Sequence, residues 1–210
     1  VVSCAAGLAL YSLHVRAAQA YRSTTFNSLL SFAEVSAAMV DVELHKSISD
    51  PRQQESAEYL AVVAPLRRIK ASAHGIKYIY TAIVREDVAY FIVDAAFPGD
   101  ADGDGVDDQA KIMQRYEEAP PALFEAHATG QSVATQKVYE DQWGSFITAY
   151  TPLFDTSGTV VAVLGVDITA DRFRAELGAI RRATAVSFLL ALAVSLLTGA
   201  GAFLVQQRGR

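Results

Sequence analysis

The sequence is poor in residues that crosslink a domain, because Cys4 is the only cysteine among its 210 residues. An intrachain disulfide is therefore excluded, and the fold must be stabilised by its hydrophobic core or by association. Basic residues are also outnumbered, since 18 Lys and Arg against 23 Asp and Glu give a formal net charge of −5. No basic stripe with interleaved aromatic residues is present, so we expect no nucleic-acid partner.

Motifs for catalysis are missing as well. The sequence contains no Gly-x-Ser-x-Gly, no metalloprotease motif and no glycine-rich phosphate-binding motif. Asp41 and His45 lie four residues apart on one face of a predicted helix, which favours a local hydrogen-bonded pair over a metal or ligand role. We therefore expect no catalysis within this chain.

Charged residues are absent from 183–205. As a helix this run is roughly 35 Å long at about 1.5 Å per residue, which is enough to cross a bilayer. It predicts a transmembrane helix, with residues 206–210 as the start of a cytoplasmic segment. Residues 1–13 are also uncharged but shorter than the ~20 residues that a span needs, so we expect the end of a truncated first transmembrane helix there. Lys and Arg flank both runs and do not establish the orientation.

Residues 14–48 contain no proline or glycine and predict one long helix that continues out of the membrane. An apolar seam with alternating spacings of four and three indicates packing along a partner, which is either a second copy of the chain or the domain's own sheet. Small residues at every fourth position of 183–199 favour close approach of two membrane helices. We expect a homodimer through the N-terminal helix and the transmembrane helices. The seam is Phe26, Leu30, Ala33, Ala37, Val40 and Leu44, and the small residues are Ala183, Ser187, Ala191, Ser195 and Gly199.

The middle of the chain contains sequence patterns typical of helices and others typical of strands. Asp50 followed by Pro51 predicts a second helix up to Gly75, bent at Pro65. A short polar turn is predicted around Glu86 and Asp87. A short helix is predicted over 121–127 and is ended by Gly130, and a helix over 170–182 continues directly into the membrane run. The order indicates an α+β domain built on one antiparallel sheet. Its predicted strands are residues 76–84, 88–94, 132–139, 143–153 and 159–168.

Residues 14–182 resemble the single Cache (sCache/PDC) sensor domains of bacterial transmembrane receptors. The likeness is carried by the order and spacing of Ala37-Ala38-Met39-Val40-Asp41 with His45, Ala64-Pro65-Leu66-Arg67-Arg68-Ile69, Ile79-Tyr80-Thr81, Phe91-Ile92-Val93-Asp94, Trp143-Gly144 and Leu164-Gly165-Val166-Asp167-Ile168. The resemblance implies a PAS-like antiparallel five-stranded sheet (76–168), a long dimer-forming helix (14–48) and a small-ligand pocket on one face of the sheet. It also implies a bacterial inner (cytoplasmic) membrane protein whose sensor domain faces the periplasm or cell exterior.

The function implied is the input region of a signal-transduction receptor that passes ligand binding through the transmembrane helix to an output module. A sensor histidine kinase is the preferred output. A diguanylate or adenylate cyclase and a chemoreceptor are the alternatives, and a membrane scaffold domain that binds no ligand is a further one. The output modules differ in what would follow residue 210, whereas a closed, dry pocket with the dimer helix still formed would favour the scaffold.

The sharpest local motif is an Asp-rich loop that resembles the first part of a calcium-binding loop. Its carboxylates occupy relative positions 1, 3, 5 and 9, glycine occupies position 6, and a backbone carbonyl is offered at position 7. Lys111 stands at position 12 in place of the usual bidentate Glu. We expect either a structural Ca²⁺ or a solvated acidic loop. The candidate metal ligands are Asp100, Asp102, Asp104, Val106 and Asp108.

A candidate ligand pocket follows from the alternation of side chains on the predicted strands. Aromatic walls with carboxylates and hydroxyls suit a small, partly apolar and cationic ligand, whereas the alternative is that these residues belong to an ordinary core. The identity of the ligand does not follow from the sequence. The candidate pocket residues are Tyr78, Tyr80, Phe91, Asp94, Asp141, Trp143, Ser145 and Tyr150.

Overall fold

The computed structural model describes residues 2–101 and 103–208, without the side chains of residues 2–6, 8, 202–206 and 208. The chain divides into two compact units. One is a globular unit, Thr25–Phe173, and the other is a helical unit formed by Val1–Thr24 and Arg174–Arg210. The helices are α1 (Val2–Ala37), α2 (Val42–Lys46), a 3₁₀ turn (Pro51–Gln53), α3 (Ala57–Ser72), α4 (Pro121–Thr129) and α5 (Ala170–Arg208), and the strands are β1 (Tyr78–Arg85), β2 (Val88–Asp94), β3 (Val133–Ala134), β4 (Tyr139–Asp141), β5 (Gly144–Phe154) and β6 (Val160–Thr169).

The globular unit is built on one antiparallel sheet with the strand order β2-β1-β6-β5-β3, and the short β4 also pairs with β5. This confirms the predicted α+β class and the five-stranded antiparallel sheet. The β1–β2 hairpin turns at Glu86 and Asp87, whose φ angles of 49° and 60° match the twist of the flanking strands. The strand predicted over 132–139 is divided, because β3 and β4 pair with different stretches of the long β5.

The N-terminal helix is shorter than the sequence indicates. Instead of continuing to residue 48, α1 ends at Ala37, and Asp41 begins a new helix by accepting a hydrogen bond from the Leu44 N–H at 3.0 Å. The side chain of His45 does not pair with the carboxylate of Asp41. Its Nε2 lies 2.8 Å from the Thr81 hydroxyl on β1, so the expected local Asp41–His45 hydrogen bond is wrong.

The second predicted helix is also divided. Asp50 does cap a helix, with Pro51 at the first position, but that helix is a single 3₁₀ turn. Ser56 then caps α3, which contains Pro65. In contrast, α4 ends where predicted, because Gly130 adopts the left-handed conformation with φ 66°.

The core lies on both faces of the sheet. Tyr78, Tyr80 and Ala82 alternate along β1 and belong to an aromatic cluster that also includes residues of α4 and of the loop before it. On the opposite face Ile79 and Thr81 are fully buried, and Thr81 contacts α2. The aromatic face is therefore the one on which a pocket of the predicted composition could form.

The last helix is continuous from the end of β6. Within α5, Ala170–Gly201 has a mean hydropathy of 2.0 in its most apolar window, and none of that window is buried. Over the described part of the chain it is the one helix long and apolar enough to cross a membrane. The prediction for residues 1–13 stays a prediction, because most of those side chains lie outside the described residues.

Candidate functional site

An aromatic wall lines one face of β1 and β2. The ring of Phe91 lies between the rings of Tyr80 and Trp143, at centroid distances of 5.2 and 5.3 Å, and both contacts are edge-to-face. Tyr78 packs edge-to-face against Phe146 of β5 at 5.6 Å. Such edge-to-face contacts hold large rings in defined orientations.

Six of the eight predicted pocket residues line a common cavity. Its volume is about 10 Å³, which is room for about one water molecule. The pocket is therefore closed in this structure and filled by its own aromatic side chains. Its lining consists of Tyr78, Tyr80, Phe91, Asp94, Asp141 and Trp143, all predicted, together with Asp108, Ala110, Phe146 and Asp167.

The other two predicted residues lie elsewhere. Ser145 donates to the carboxylate of Glu140 at 3.1 Å, beside β4. Tyr150 is fully buried behind the lining, where its hydroxyl lies 3.0 Å from that of Tyr80. Tyr150 therefore positions a wall residue and does not face the cavity.

Asp94 holds the loop that covers the cavity. Its carboxylate accepts the backbone N–H groups of Ala96 at 2.8 Å and Ala110 at 2.9 Å, and these two residues flank the Asp-rich loop. Burial raises the pKa of Asp94 to about 6, against the opposing effect of these two hydrogen bonds. Both oxygens have partners, so Asp94 is better suited to fix the loop than to bind a ligand.

Asp167 is the buried carboxylate that sequence reasoning did not place in the pocket. Its Oδ1 accepts from the Thr148 hydroxyl at 2.5 Å, and Thr148 in turn lies 2.8 Å from the Tyr139 hydroxyl. Among the described residues no side chain donates a hydrogen bond to Oδ2, and the carboxyl lines the cavity. Burial raises the pKa of Asp167 well above its usual range.

Asp141 and Asp108 add two more carboxylates to the lining. Asp141 accepts from the Tyr116 hydroxyl at 2.7 Å and from the backbone N–H of Trp143 at 2.9 Å. Burial raises the pKa of Asp141. Asp108 accepts from the Tyr78 hydroxyl at 2.5 Å. The cavity lining thus combines aromatic rings with an excess of acidic groups, and ionised acidic groups attract a cation.

An open cleft of about 360 Å³ lies next to the closed cavity. Tyr78 and Asp108 line both, so their hydrogen bond separates one from the other. Lys70 and Lys77 stand on the cleft side, and the Lys77 ammonium is 3.7 Å from Asp108. A ligand that entered through the cleft would have to displace this hydrogen bond.

The Asp-rich loop is organised by its own backbone. Both carboxylate oxygens of Asp100 accept N–H groups, from Gly103 at 2.7 Å, Asp104 at 3.0 Å and Gly105 at 2.9 Å. Over the part of the chain that the structure describes, no three His, Cys, Asp or Glu side chains converge as metal ligands. Asp102 lies outside the described residues, so the calcium prediction stays a prediction.

Neither a protein-family profile nor a curated protein sequence matches this chain. Structural matches at low identity are to sensor domains of chemoreceptors and of a histidine kinase. The ligand-binding domain of the Campylobacter jejuni chemoreceptor Tlp3, in complex with L-valine, is 16% identical over 78% of this chain and 65% of its own, with a TM-score of 0.38. The extracellular domain of mmHK1S-Z2, described as a histidine kinase, is 10% identical over 77% of this chain and 59% of its own, with a TM-score of 0.48. Methyl-accepting chemotaxis protein X is 14% identical over 81% and 67%, with a TM-score of 0.43.

This chain therefore spans less than two thirds of the length of the Tlp3 and mmHK1S-Z2 structures. At these identities the likeness concerns the fold alone. Conclusions about the site depend on its own geometry.

Proposed function

We propose that residues 14–182 are the extracytoplasmic ligand-sensing region of a bacterial membrane receptor, anchored by the apolar part of α5. The ligand we propose is a small molecule with an ammonium group or another compact cation, bound on the aromatic face of the sheet. The observation that carries this proposal is Asp167, a buried carboxyl that lines the cavity with one oxygen lacking a described partner. A cation beside it would stabilise the ionised form that burial disfavours.

For a ligand to enter the closed cavity, the side chain of Trp143 has to move. It is half-buried at the edge of the cavity, and its indole N–H donates to the Asp107 carbonyl at 2.9 Å. Displacing this ring and the Tyr78–Asp108 hydrogen bond would enlarge the cavity and join it to the open cleft. Because Trp143 is the only tryptophan, its fluorescence reports the rearrangement directly.

The experiment titrates the purified chain in detergent with ethylammonium, and with acetate as the anionic control, while Trp143 fluorescence and thermal stability are followed. A ligand at 100 times its Kd stabilises the folded state by about 2.7 kcal/mol. Asp167→Asn should abolish the response to ethylammonium. The matched control Glu140→Gln removes an exposed carboxylate on neighbouring β4 and should leave the response unchanged. A response to acetate that survives in Asp167→Asn would refute the cationic site.

The pH dependence offers a second test of the same site. Because burial raises the pKa of Asp167, cation binding must release its proton, and affinity should rise with pH. An affinity that does not change with pH would contradict this coupling.

A scaffold domain that binds no small molecule is the second candidate, and the closed cavity of about 10 Å³ favours it. It predicts that no cationic, anionic or neutral small molecule changes Trp143 fluorescence, while the chain still associates with itself. Screening a panel of such molecules distinguishes the two functions.

The proposed function also includes an output module that follows α5. We propose a histidine kinase module after α5, on the basis of the sequence resemblance, with a cyclase or a chemoreceptor signalling domain as alternatives. Sequencing the gene downstream of residue 210 tests it, since each output module has distinct catalytic or coiled-coil motifs.

A further inference from the structure

The helical unit contains an open groove of about 460 Å³ between the first part of α1 and the middle of α5. Most of its wall is apolar, and polar groups gather at one end. At the apolar end the two helices approach closely, because a Cβ added at Gly7 would lie 3.4 Å from Cε2 of Phe188. The lining consists of Gly7, Leu10, Tyr11 and His14 of α1 with Arg181, Thr184, Ala185, Phe188 and Leu189 of α5.

The polar end is organised around His14. Its Nδ1 lies 3.1 Å from the hydroxyl of Thr184, and that hydroxyl donates to the Ile180 carbonyl at 3.0 Å. The hydroxyl must therefore accept the His14 Nδ1–H. Nε2 has no hydrogen-bond partner among the described residues, and it donates to an anion when the imidazole carries both protons.

Arg181 lines the same end of the groove. Within the described residues it makes no ion pair. Arg181 and Arg182 are also the last charged residues before the apolar run 183–205. If that run spans the membrane, the polar end of the groove lies at the level of the lipid headgroups and the apolar end lies among the acyl chains.

We propose that this groove binds one anionic phospholipid, with its phosphate held by Arg181 and His14 and an acyl chain along Ala185, Phe188 and Leu189. The proposal rests on the membrane placement of α5 in the proposed function. A guanidinium presents paired donors that match phosphate oxygens, and such charge-assisted hydrogen bonds are among the strongest in proteins. Charge complementarity selects an anionic lipid over a zwitterionic one.

Arg182 supplies a control of identical charge on another face of the same helix. Its Nη1 lies 3.5 Å from the Cβ position of Gly178, one turn back along α5, and Arg182 does not line the groove. Lipid binding in the groove should depend on Arg181 and not on Arg182. General attraction to an anionic membrane surface should depend on both arginines equally.

The experiment reconstitutes the full chain in nanodiscs of equal parts phosphatidylglycerol and phosphatidylcholine, and native mass spectrometry counts the lipids that remain bound after mild release. Wild type and Arg182→Gln should each retain one phosphatidylglycerol. Arg181→Gln should retain at least about tenfold less, the loss expected when a hydrogen bond to a charged group is removed. Ala185→Phe, which fills the groove without changing charge, should also lose the lipid.

Equal loss in Arg181→Gln and Arg182→Gln, or equal retention of the two phospholipids by wild type, would overturn the site while leaving the membrane placement intact. A chain that does not enter nanodiscs at all would overturn the membrane placement and the site with it. Ligand binding in the globular unit is measured separately by Trp143 fluorescence, so the two proposals fail in distinguishable ways.

Discussion

His45 is a buried histidine whose neutral form is favoured by burial. The Thr81 oxygen accepts the Val93 N–H at 3.1 Å and lies 2.8 Å from Nε2 of His45, so the imidazole has a polar partner in its neutral form. Burial lowers the pKa of His45 to about 4. The unfolded chain binds this proton below about pH 6.5, while the folded chain does not until about pH 4.

The first prediction follows from this difference. The contribution of neutral His45 to stability is present above pH 6.5 and should decrease by about 3 kcal/mol as the pH falls toward 4. Asp94 acts in the opposite sense, because its raised pKa of about 6 favours the folded state at low pH. The informative quantity is therefore the difference in unfolding free energy between wild type and His45→Gln, measured by urea titration at several pH values.

That difference should shrink between pH 7 and pH 4. The control is His74→Gln, because His74 is exposed and its replacement should leave the pH dependence of wild type unchanged. A difference that does not vary with pH would show that His45 is not buried as a neutral side chain.

At the scale of the secondary-structure elements, β6 passes very close to the aromatic wall of β1. Gly165 pairs with Tyr80 across the sheet, and a Cβ at Gly165 would lie 2.6 Å from Cζ of that ring. The ring is buried and held between Phe91 and Tyr150, so it has little room to move.

We predict that Gly165→Ala destabilises the globular unit by about 1–3 kcal/mol, the usual cost of overpacking a core. Gly178→Ala on α5 is the matched control. Gly178 is half-buried, but a Cβ there would make only a van der Waals contact with Arg182 at 3.5 Å, so the change should be neutral or slightly stabilising because alanine favours the helix. Thermal unfolding of both variants measures the effect. Equal melting temperatures for Gly165→Ala and wild type would mean that Tyr80 is free to move aside.

The Asp-rich loop carries the third prediction. We propose that it binds Ca²⁺ weakly, because position 12 holds Lys111, whose ammonium instead pairs with Asp107 at 2.7 Å. Lys111→Glu supplies the missing bidentate carboxylate and should increase Ca²⁺ affinity by roughly tenfold or more, whereas Lys111→Gln removes only the positive charge. Calorimetric titration with Ca²⁺ distinguishes the two variants. If neither variant gives binding heat at millimolar Ca²⁺, the loop is not a calcium site.

At the scale of the whole molecule, the predicted homodimer remains a proposal. The small-residue stripe on α5 is mostly exposed, with Ala191 and Ser195 half-buried. Replacing Ser195 and Gly199 together by leucine should weaken association of two chains in a membrane two-hybrid assay, since the helices could no longer approach closely. Ala193→Leu, on another face, should have no effect, and unchanged association in the double variant would argue against this interface.

Local signals made much of the fold predictable. The bounds of β2, the turn at Glu86 and Asp87, and the helix end at Gly130 each depend on a few neighbouring residues, and all agree with the structure. The break after Ala37 was missed because the preceding residues are good helix formers, and the cap at Asp41 resembles any other acidic side chain in sequence.

The candidate site was predictable only in part. Alternation along β1 and β2 placed Tyr78, Tyr80 and Phe91 on one face, and they do line one cavity. Asp167 was not predicted to join them, because its approach depends on strand register: it lies opposite Tyr78 on one side and Thr148 on the other. Register is a non-local property that a side-chain period of two does not specify.

The sequence by itself therefore determined most of the strands and helices and the position of the apolar span, because these depend on composition and on periods of a few residues. Only the tertiary structure decided that the aromatic side chains close the cavity, that Asp167 faces it, and that His14 and Arg181 line one groove from two helices. Those contacts join residues far apart in the chain, and their distances are set by packing of the whole fold.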